Sequence, residues 1–375
     1  MEKIKIVHIL HAVGGVDISL RFIIENINTD GFENIIIHGK NDTEDSYKDR
    51  NSNLLKEYKV SIYRDISLIR DTLALINVYK IIKKERPNLI HCHSTKGGII
   101  GRLVGFMLNI NVLHTPQAFS FLSTDNFFKK RIYLIIEKIF KFKNSYILAS
   151  SISESKLAIH KVHYDEKKIL LFNNSIKPLD SYSELIINKT WPDNYICTVG
   201  RPSYQKNIEL MVRVLKEVNK SLDIHLVIMG VGHHSDKLET VKNLIKELGL
   251  EKSITLLDWT NRENVLNIIK HSKVYLSTAR YEGLPYSVIE ALALSKPCVV
   301  SDCDGNRDLI QNNYNGFVIQ NEDIYEYSVK IKHLLNDNNL LNKLSANALI
   351  SFNQNYNIKK NIKYLEQIYT DYSIK

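Results

Sequence analysis

One stretch in the second half of the chain, RYEGLPYSVIE at 280–290, most constrains how the chain can fold. Before it, 274–278 (VYLST) is a short apolar run typical of a buried strand, and after it apolar residues from Val288 onward recur as on a helix, which Pro297 ends. The Glu-Gly-Leu-Pro link is therefore a strand-to-helix turn. It lies at the carboxyl end of a strand, where open α/β sheets bind their ligands.

The residues of this turn suit a ligand that carries both phosphates and hydroxyls. Gly283 lets the backbone approach a ligand closely, and Pro285 suits the first helical turn. The amides of 286–287, at the positive end of the helix, can hold an anion. Glu282 and Glu290 add carboxylates that accept hydrogen bonds from hydroxyls. These features together predict a nucleotide-sugar site; the alternative is an exposed helix with two solvated glutamates.

The spacing Glu-x7-Glu, inside Glu-Gly-Leu-Pro…Ile-Glu-Ala, resembles the signature of family 4 glycosyltransferases, which are retaining enzymes of GT-B fold. The resemblance implies an α/β chain of two Rossmann-like domains, with parallel sheets that face a cleft. It also implies that the second domain binds a nucleotide sugar, UDP-linked in our prediction, and that the first binds the acceptor.

A second motif, GRPSYQKN at 200–207, follows a strand with a glycine exit. Arg201 and Lys206 flank this loop at a helix N-terminus, so two cations and helix-end amides converge. The pattern resembles family 4 enzymes, in which these two residues hold the nucleotide diphosphate. A surface ion pair is the alternative interpretation.

The resemblance implies a role for each matching residue. Arg201 and Lys206 would stabilise charge on the leaving diphosphate, Glu282 would orient the sugar hydroxyls, and Glu290 would hold the ribose. The predicted donor-binding residues are Gly14, Gly15, Arg201, Lys206, Gly230, Gly232, Leu257, Gly283, Leu284, Pro285, Tyr286, Ser287 and Glu290. Leu257 or Trp259 could pack on the base, although a tryptophan in the core is commoner.

The first half begins with a strand and a glycine turn. Gly14 and Gly15 follow the strand at 3–10, and in the resembling family the corresponding loop faces the transferred sugar and its phosphates. The pattern is not GxGxxG, which gives a dinucleotide site little support. A tight turn that needs two glycines explains the pair equally well.

Three histidines of the first half are candidates for chemistry. His114 ends a strand before a proline-bent loop, where it could contact a sugar hydroxyl or take a proton; a structural histidine is the alternative. His91 and His93 lie on one predicted strand. We expect them on opposite faces of it, and so unable to bind one metal ion.

We predict no metal and no cofactor. Asp302-x-Asp304 matches the DxD metal motif of GT-A transferases, but it lies at a strand end in a GT-B-like chain. Family 4 enzymes generally need no metal, because Arg, Lys and helix dipoles neutralise the diphosphate. The four cysteines are scattered, which indicates buried thiols in a reducing compartment.

The 375 residues suit two domains. We predict an acceptor-binding domain at 1–180 and a nucleotide-sugar-binding domain at 190–355, with the boundary in the polar stretch 180–192. The last helix, 356–375, would cross back to the first domain, as in the resembling fold.

The net charge of +9 lies entirely in residues 1–178. This asymmetry favours a domain that faces an anionic surface over general nucleic-acid binding. Within it, 127–143 predicts an amphipathic helix with a buried stripe at Phe128, Ile132, Ile135, Ile136 and Ile139. The opposite, exposed face would carry four cations that contact membrane or acceptor, interrupted by Phe127 and Leu134. The four cations are Lys130, Arg131, Lys138 and Lys141. An ordinary helix with a solvated basic face is the alternative.

The loops near 93–103 and 114–121 also look like those of bacterial transferases that build capsule or O-antigen on a lipid diphosphate carrier. The resemblance implies a polyprenyl-diphosphate-linked glycan as acceptor, at the inner face of the cytoplasmic membrane. Because we see neither a signal peptide nor an apolar run long enough for a membrane-spanning helix, we expect a cytoplasmic protein that associates peripherally with that membrane. The alternatives are a soluble transferase with a small acceptor and a catalytically silent nucleotide-sugar-binding protein.

Overall fold

The computed structural model describes residues 2–63, 67–179, 184–232 and 235–373. It divides into two compact units: unit 1 is Met1–Lys177 with Asn357–Lys375, and unit 2 is Pro178–Tyr356. The predicted boundary stretch, 180–192, begins just after this division. Its first residues, 180–183, lie outside the described residues.

Unit 1 contains one parallel sheet. Its strands are β1 (Ile4–Ile9), β2 (Phe32–Gly39), β3 (Lys56–Val60), β4 (Leu89–His93), β5 (Val112–Thr115), β6 (Ser145–Ala149) and β7 (Ile169–Leu171). Its helices up to the end of this sheet are α1 (Gly15–Ile24), α2 (Leu68–Glu85), α3 (Ser94–Leu108), α4 (Phe127–Ile139) and α5 (Ile152–Leu157). The strand order is β3-β2-β1-β4-β5-β6-β7, with every neighbouring pair parallel.

Unit 2 repeats the architecture. Its strands are β8 (Tyr195–Val199), β9 (His225–Val231), β10 (Ile254–Asp258), β11 (Tyr275–Ser277), β12 (Cys298–Ser301) and β13 (Gly316–Ile319). Its helices are α6 (Ile208–Val218), α7 (Leu238–Glu247), α8 (Arg262–His271), α9 (Tyr286–Ala293), α10 (Asp304–Leu309), α11 (Ile324–Asn336) and α12 (Asn338–Asn355). The order is β10-β9-β8-β11-β12-β13, again all parallel.

The mostly apolar sequences of β4 and β12 explain why these strands lie inside their sheets. In β4 and β12 every residue is buried, because helices cover both faces of a parallel sheet and leave no polar side for alternation. The predicted α/β class, with two parallel-sheet Rossmann-like domains, is confirmed.

Each sheet has one point where the strand order reverses. In unit 1 this point lies between β1 and β4, and in unit 2 between β8 and β11. In open α/β sheets, ligands bind outside the carboxyl ends of the strands at such a point. The loops that follow these four strands are therefore where ligands are expected to bind.

The last helix, α13 (Ile358–Tyr372), belongs to unit 1 although it follows unit 2 in sequence. Ile362, Leu365 and Ile368 pack into a buried cluster with Ile6 of β1 and Leu113 of β5. The helix therefore completes one face of the first sheet.

Candidate active site

The two motifs of unit 2 meet at the carboxyl ends of β8 and β11. Lys206 Nζ donates to Glu282 Oε1 at 2.6 Å, and Gln205 Nε2 donates to Glu282 Oε2 at 3.2 Å. The Glu282 side chain is buried, so this carboxylate is held by a charged and a neutral donor. A lysine ammonium carries three hydrogens, so Lys206 can bind an anion and keep Glu282 as a partner.

Backbone contacts hold the loop that carries Arg201 and Lys206. Thr278 Oγ1 donates to the carbonyl oxygens of Lys206 and Asn207, at 3.1 and 2.9 Å. The Arg280 amide donates to Gln205 O at 2.8 Å. Both predicted phosphate-binding cations are half-buried in this tied loop, with Arg201 at its start and Lys206 at its end.

The turn before α9 has the predicted form. The helix begins at Tyr286, with Pro285 as its N-cap, which places the Tyr286 and Ser287 amides in the positively charged first turn. Leu284 is buried beneath it. The turn also explains a glycine in α10: a Cβ on Gly305 would lie 2.5 Å from Gly283 O, so only glycine allows this approach.

Glu290 lies on the buried side of α9 and pairs with Arg262, which sequence reasoning missed. Arg262 Nε and Nη2 donate to Glu290 Oε1 at 3.0 and 2.8 Å. Burial raises the pKa of Glu290, against the opposing pull of the guanidinium. Arg262 is the first residue of α8, and no motif marks it. The available signal was Glu290 itself, because a carboxylate that a helix buries requires a nearby cation.

The remaining donor-site candidates lie at the carboxyl ends of β9 and β10. Gly230 and Gly232 have φ of 88° and 126°, which favours glycine at both. Leu257 is half-buried, whereas Trp259, just past the end of β10, exposes 67% of its surface. Trp259 therefore lies on the surface, although tryptophans are more often found in the core. A Cβ on Gly232 would lie 3.6 Å from the Trp259 ring, so the glycine turn and the indole are neighbours.

In unit 1, the glycine loop follows β1 as predicted. Gly14 and Gly15 are exposed, and Gly14 adopts φ 60° and ψ −131°, a conformation that residues with a Cβ rarely adopt. His11 Nδ1 lies 2.7 Å from Asp42 Oδ1, and Asp42 Oδ2 accepts the Ala12 amide at 2.5 Å. Asp42, which sequence reasoning did not single out, thus anchors the start of the loop.

His114 is the third residue of β5 and is fully buried. Its Nε2 donates to Ser94 O at 3.2 Å, and its Nδ1 is buried with no partner among the described residues. Burial lowers the pKa of His114 well below its usual value, so the ring is neutral at pH 7. Its contact with a sugar stays a prediction, and it would require the groups that cover the ring to move.

The expectation for His91 and His93 was wrong. Their ring centroids are 4.0 Å apart, because residues two apart on a strand share a face. With His8 of β1 they form a buried cluster whose nitrogens lie within 4.8 Å of one another, as metal ligands could. Both nitrogens of His8 and of His91 already have hydrogen-bond partners. Burial lowers the pKa of His8 to about 4, so these rings form a neutral network.

Comparisons with known proteins agree with this geometry. The model of the Glycosyl transferases group 1 family matches residues 185–350, and that of the Glycosyl transferase 4-like family matches 18–151. A UDP-Gal:alpha-D-GlcNAc-diphosphoundecaprenol alpha-1,3-galactosyltransferase of Escherichia coli is 31% identical over 325 residues, which cover 83% of this chain and 82% of that protein. The chain belongs to the family 4 glycosyltransferases.

Further relatives and solved structures are similar to this glycosyltransferase in sequence or in fold. The capsular polysaccharide biosynthesis glycosyltransferase CapM of Staphylococcus aureus is 26% identical, over 77% of this chain and 78% of CapM. Sucrose-phosphate synthase of Thermosynechococcus elongatus superposes with a TM-score of 0.83 at 16% identity, over 99% of both chains. Anabaena HepE, solved with UDP, superposes with a TM-score of 0.75 at 14% identity, over 98% of this chain and all of HepE. The predicted GT-B fold is confirmed.

The orientation predicted for α4 of this glycosyltransferase was wrong. Of the stripe expected to be buried, Phe128, Ile132, Ile135 and Ile139 each expose between 47% and 74% of their surface, and Ile136 is half-buried. With Phe127, which is exposed as predicted, these four make up the exposed apolar stripe of α4. The reason is Glu137, which faces inward and pairs with the fully buried Arg102 of α3, Nη1 to Oε2 at 2.9 Å. Leu134, expected to be exposed, is half-buried against the core instead.

The four predicted membrane-facing cations separate into two pairs. Lys130 and Arg131 are exposed beside the apolar stripe. Lys138 and Lys141 are half-buried, and Lys141 Nζ donates to His163 O at 2.7 Å. Within the described ranges, each helix of this glycosyltransferase is too short or too polar to cross a membrane.

The DxD carboxylates are paired with a cation. Arg307 Nε donates to Asp302 Oδ1 at 2.5 Å, and Arg307 Nη1 donates to Asp304 Oδ1 at 3.1 Å. Both aspartates thus form part of a local ion-pair network at the start of α10.

Proposed function

We propose that this glycosyltransferase moves a sugar from a UDP-linked donor to a glycan carried on a polyprenyl diphosphate, with retention at the anomeric carbon and without a bound metal ion. The observation that carries the proposal is the Lys206–Glu282 pair at the switch point of the second sheet. It joins a phosphate-binding cation to a hydroxyl-binding carboxylate in one site.

The difficult step is departure of the nucleotide diphosphate, when the bond from the anomeric carbon to the phosphate oxygen breaks. Negative charge then grows on the diphosphate. Arg201, Lys206 and the first-turn amides of α9 are fixed before the reaction, so they can stabilise this charge without reorganising. Glu282 accepts hydrogen bonds from the sugar, and Glu290, held by Arg262, accepts them from the ribose.

Metal independence follows from the same arrangement. Two cations and a helix end at the diphosphate supply the charge that a divalent ion would otherwise provide. Asp302 and Asp304, the carboxylates that resemble a metal motif, are engaged with Arg307. A chelator is therefore expected to leave turnover unchanged.

The acceptor is proposed from the relatives. The E. coli relative is named for transfer from UDP-Gal to a GlcNAc on diphosphoundecaprenol, and another relative is named for O-antigen biosynthesis. Such an acceptor lies in a membrane, which fits a unit 1 that carries the whole excess of positive charge. The proposed location is the inner face of the cytoplasmic membrane, with the protein bound there peripherally.

A donor and acceptor panel tests the function. Purified protein is mixed with UDP- or other nucleotide-linked hexoses and N-acetylhexosamines, together with a synthetic GlcNAc-diphosphate lipid. We expect one UDP-sugar to raise the melting temperature and to yield an α-linked product, whose anomer NMR identifies. Transfer only to small soluble acceptors, or a β-linked product, would contradict the proposal.

The surface that meets the membrane is proposed to be the α2–α4 face of unit 1. Among the described residues, half of the large exposed apolar side chains lie on these three helices. Besides the stripe of α4, they are Ile69, Leu73, Ile76, Phe106 and Met107. Large exposed apolar side chains that are grouped on a few helices favour an interaction surface. Lys130 and Arg131 beside the stripe fit an anionic bilayer.

Vesicle binding tests this surface. Phe128→Asn with Ile132→Asn and Ile139→Asn should weaken co-sedimentation with phosphatidylglycerol vesicles at least about tenfold, because each buried apolar side chain contributes roughly 1.5–3 kcal/mol. Lys130→Glu with Arg131→Glu should lose about 1 kcal/mol per cation, and this loss should shrink at high salt. The matched control replaces Val329, Leu349 and Ile350, exposed on helices of unit 2, by asparagine. Equal binding by the control and the stripe variant would exclude α4.

A further inference from the structure

The loop after β5 holds two consecutive residues in a backbone conformation that neither favours. Gln117 has φ 53° and Ala118 has φ 77°, both in the left-handed region that residues other than glycine rarely adopt. Such conformations persist where the surroundings impose them, and they concentrate at functional sites. The loop lies at the carboxyl edge of the first sheet, next to the switch point.

A buried carboxylate holds the loop in this shape. Glu154, near the start of α5, is almost completely buried, and its Oε1 accepts the Ala118 amide at 2.8 Å. Its Oε2 accepts the amide and the hydroxyl of Ser150, at 2.7 and 2.9 Å. On the other side, Phe119 and Phe121 are buried and stacked, with ring centroids 5.2 Å apart.

In this loop conformation, the side-chain amide of Gln117 is a hydrogen-bond donor without an acceptor among the described residues. Gln117 is half-buried, and its Nε2 is buried. A buried donor left unpaired costs free energy that a ligand oxygen would recover. Three residues earlier, His114 Nε2 donates to a carbonyl oxygen, so its buried, unpartnered Nδ1 carries a lone pair. An unused donor in the loop and an unused acceptor near the end of β5 suit hydroxyl groups, which both accept and donate.

We propose that Gln117 binds the acceptor glycan, with its Nε2 donating to a hydroxyl oxygen of the sugar that receives the transfer, and that Glu154 positions it by holding the Ala118 amide. The proposal rests on the proposed function, which places the acceptor in unit 1. Gln117 is then a specificity residue for the acceptor and takes no part in donor binding.

Kinetics of two variants test the proposal. Gln117→Ala removes the donor, and Gln117→Glu keeps the shape but replaces the NH2 group by an oxygen. Both should lower kcat/KM for the acceptor about threefold to tenfold, the range for one hydrogen bond, with unchanged KM for the nucleotide sugar and unchanged slow hydrolysis of the donor. Gln320→Ala, at an exposed glutamine of unit 2, is the matched control. Melting temperatures of all four proteins show whether each variant is folded.

Each result of these experiments either supports or contradicts the role of Gln117 in acceptor binding. Wild-type kcat/KM for the acceptor in both variants would overturn the proposal, and so would an equal loss in donor hydrolysis. If the wild-type chain transfers nothing to the lipid-linked glycan, the proposed function fails, and a thermal-shift panel of soluble glycosides then judges Gln117 separately. A glycoside that stabilises wild type and Gln320→Ala but not Gln117→Ala supports it. If no glycoside discriminates in this way, the assignment is wrong.

Discussion

Replacing Lys206 by alanine is expected to lower kcat about 10²- to 10³-fold, the usual cost of removing one preorganised donor that stabilises charge in a transition state. The ammonium is fixed at 2.6 Å from Glu282 in a loop tied to the turn before α9. It therefore meets the departing diphosphate without reorganisation. Steady-state transfer from the nucleotide sugar measures the effect, with and without a chelator.

Loss of structure must be separated from loss of chemistry, because alanine also removes the charged partner of the buried Glu282 and, among the described residues, leaves it the neutral donor Gln205. Urea unfolding reports the first effect, for which we expect a loss of about 1–3 kcal/mol. Lys220→Ala, at an exposed lysine just past the end of α6 that pairs with Glu217, is the matched control and should keep full activity. A folded Lys206→Ala protein with wild-type kcat would show that the phosphates lie elsewhere.

The fold and the ligand-facing loops were predictable because each depends on local patterns. Apolar runs with glycine exits define strands such as β8, and Pro285 marks the start of α9. In a parallel sheet the strand ends meet at one edge, so residues far apart in sequence, such as Lys206 and Glu282, are expected together.

What the sequence could not reveal is pairing between side chains on different elements. Arg262 and Glu290 are separated by 28 residues, and no spacing rule connects them. The histidine cluster likewise depends on β1 and β4 being neighbours in the sheet, as well as on the correct strand period. Trp259 illustrates a third limit, since an average preference for burial says little about one residue at a strand end.

The orientation of α4 shows how one buried charge can override an apolar pattern. A periodicity argument places the widest apolar stripe inward, but Arg102 is fully buried on α3 and requires a partner. An unpaired buried guanidinium carries a large desolvation cost, so Glu137 turns inward to pair with Arg102 and the stripe turns outward. This pair therefore determines which face of α4 the proposed membrane contact can use.

Removing this partner should strongly destabilise unit 1. Glu137→Ala is expected to lower the free energy of unfolding by about 3–5 kcal/mol, because the hydrogen bonds that Arg102 would keep among the described residues, to Gly98 O and the Tyr164 hydroxyl, are to neutral groups. Glu33→Ala, at an exposed glutamate paired loosely with Lys5, should cost at most about 1 kcal/mol. Urea unfolding measures both.

A double variant distinguishes loss of the pair from loss of packing. Arg102→Met with Glu137→Met removes both charges while keeping apolar volume, so it should regain much of the stability that Glu137→Ala loses. If α4 keeps its orientation in the double variant, the protein should still bind anionic vesicles. If the charge pair is what turns the apolar stripe outward, the double variant should be stable but should bind vesicles weakly, because nothing then opposes burial of Phe128 and Ile132. A Glu137→Ala protein as stable as Glu33→Ala would refute the argument, since it would mean that Arg102 tolerates burial alone.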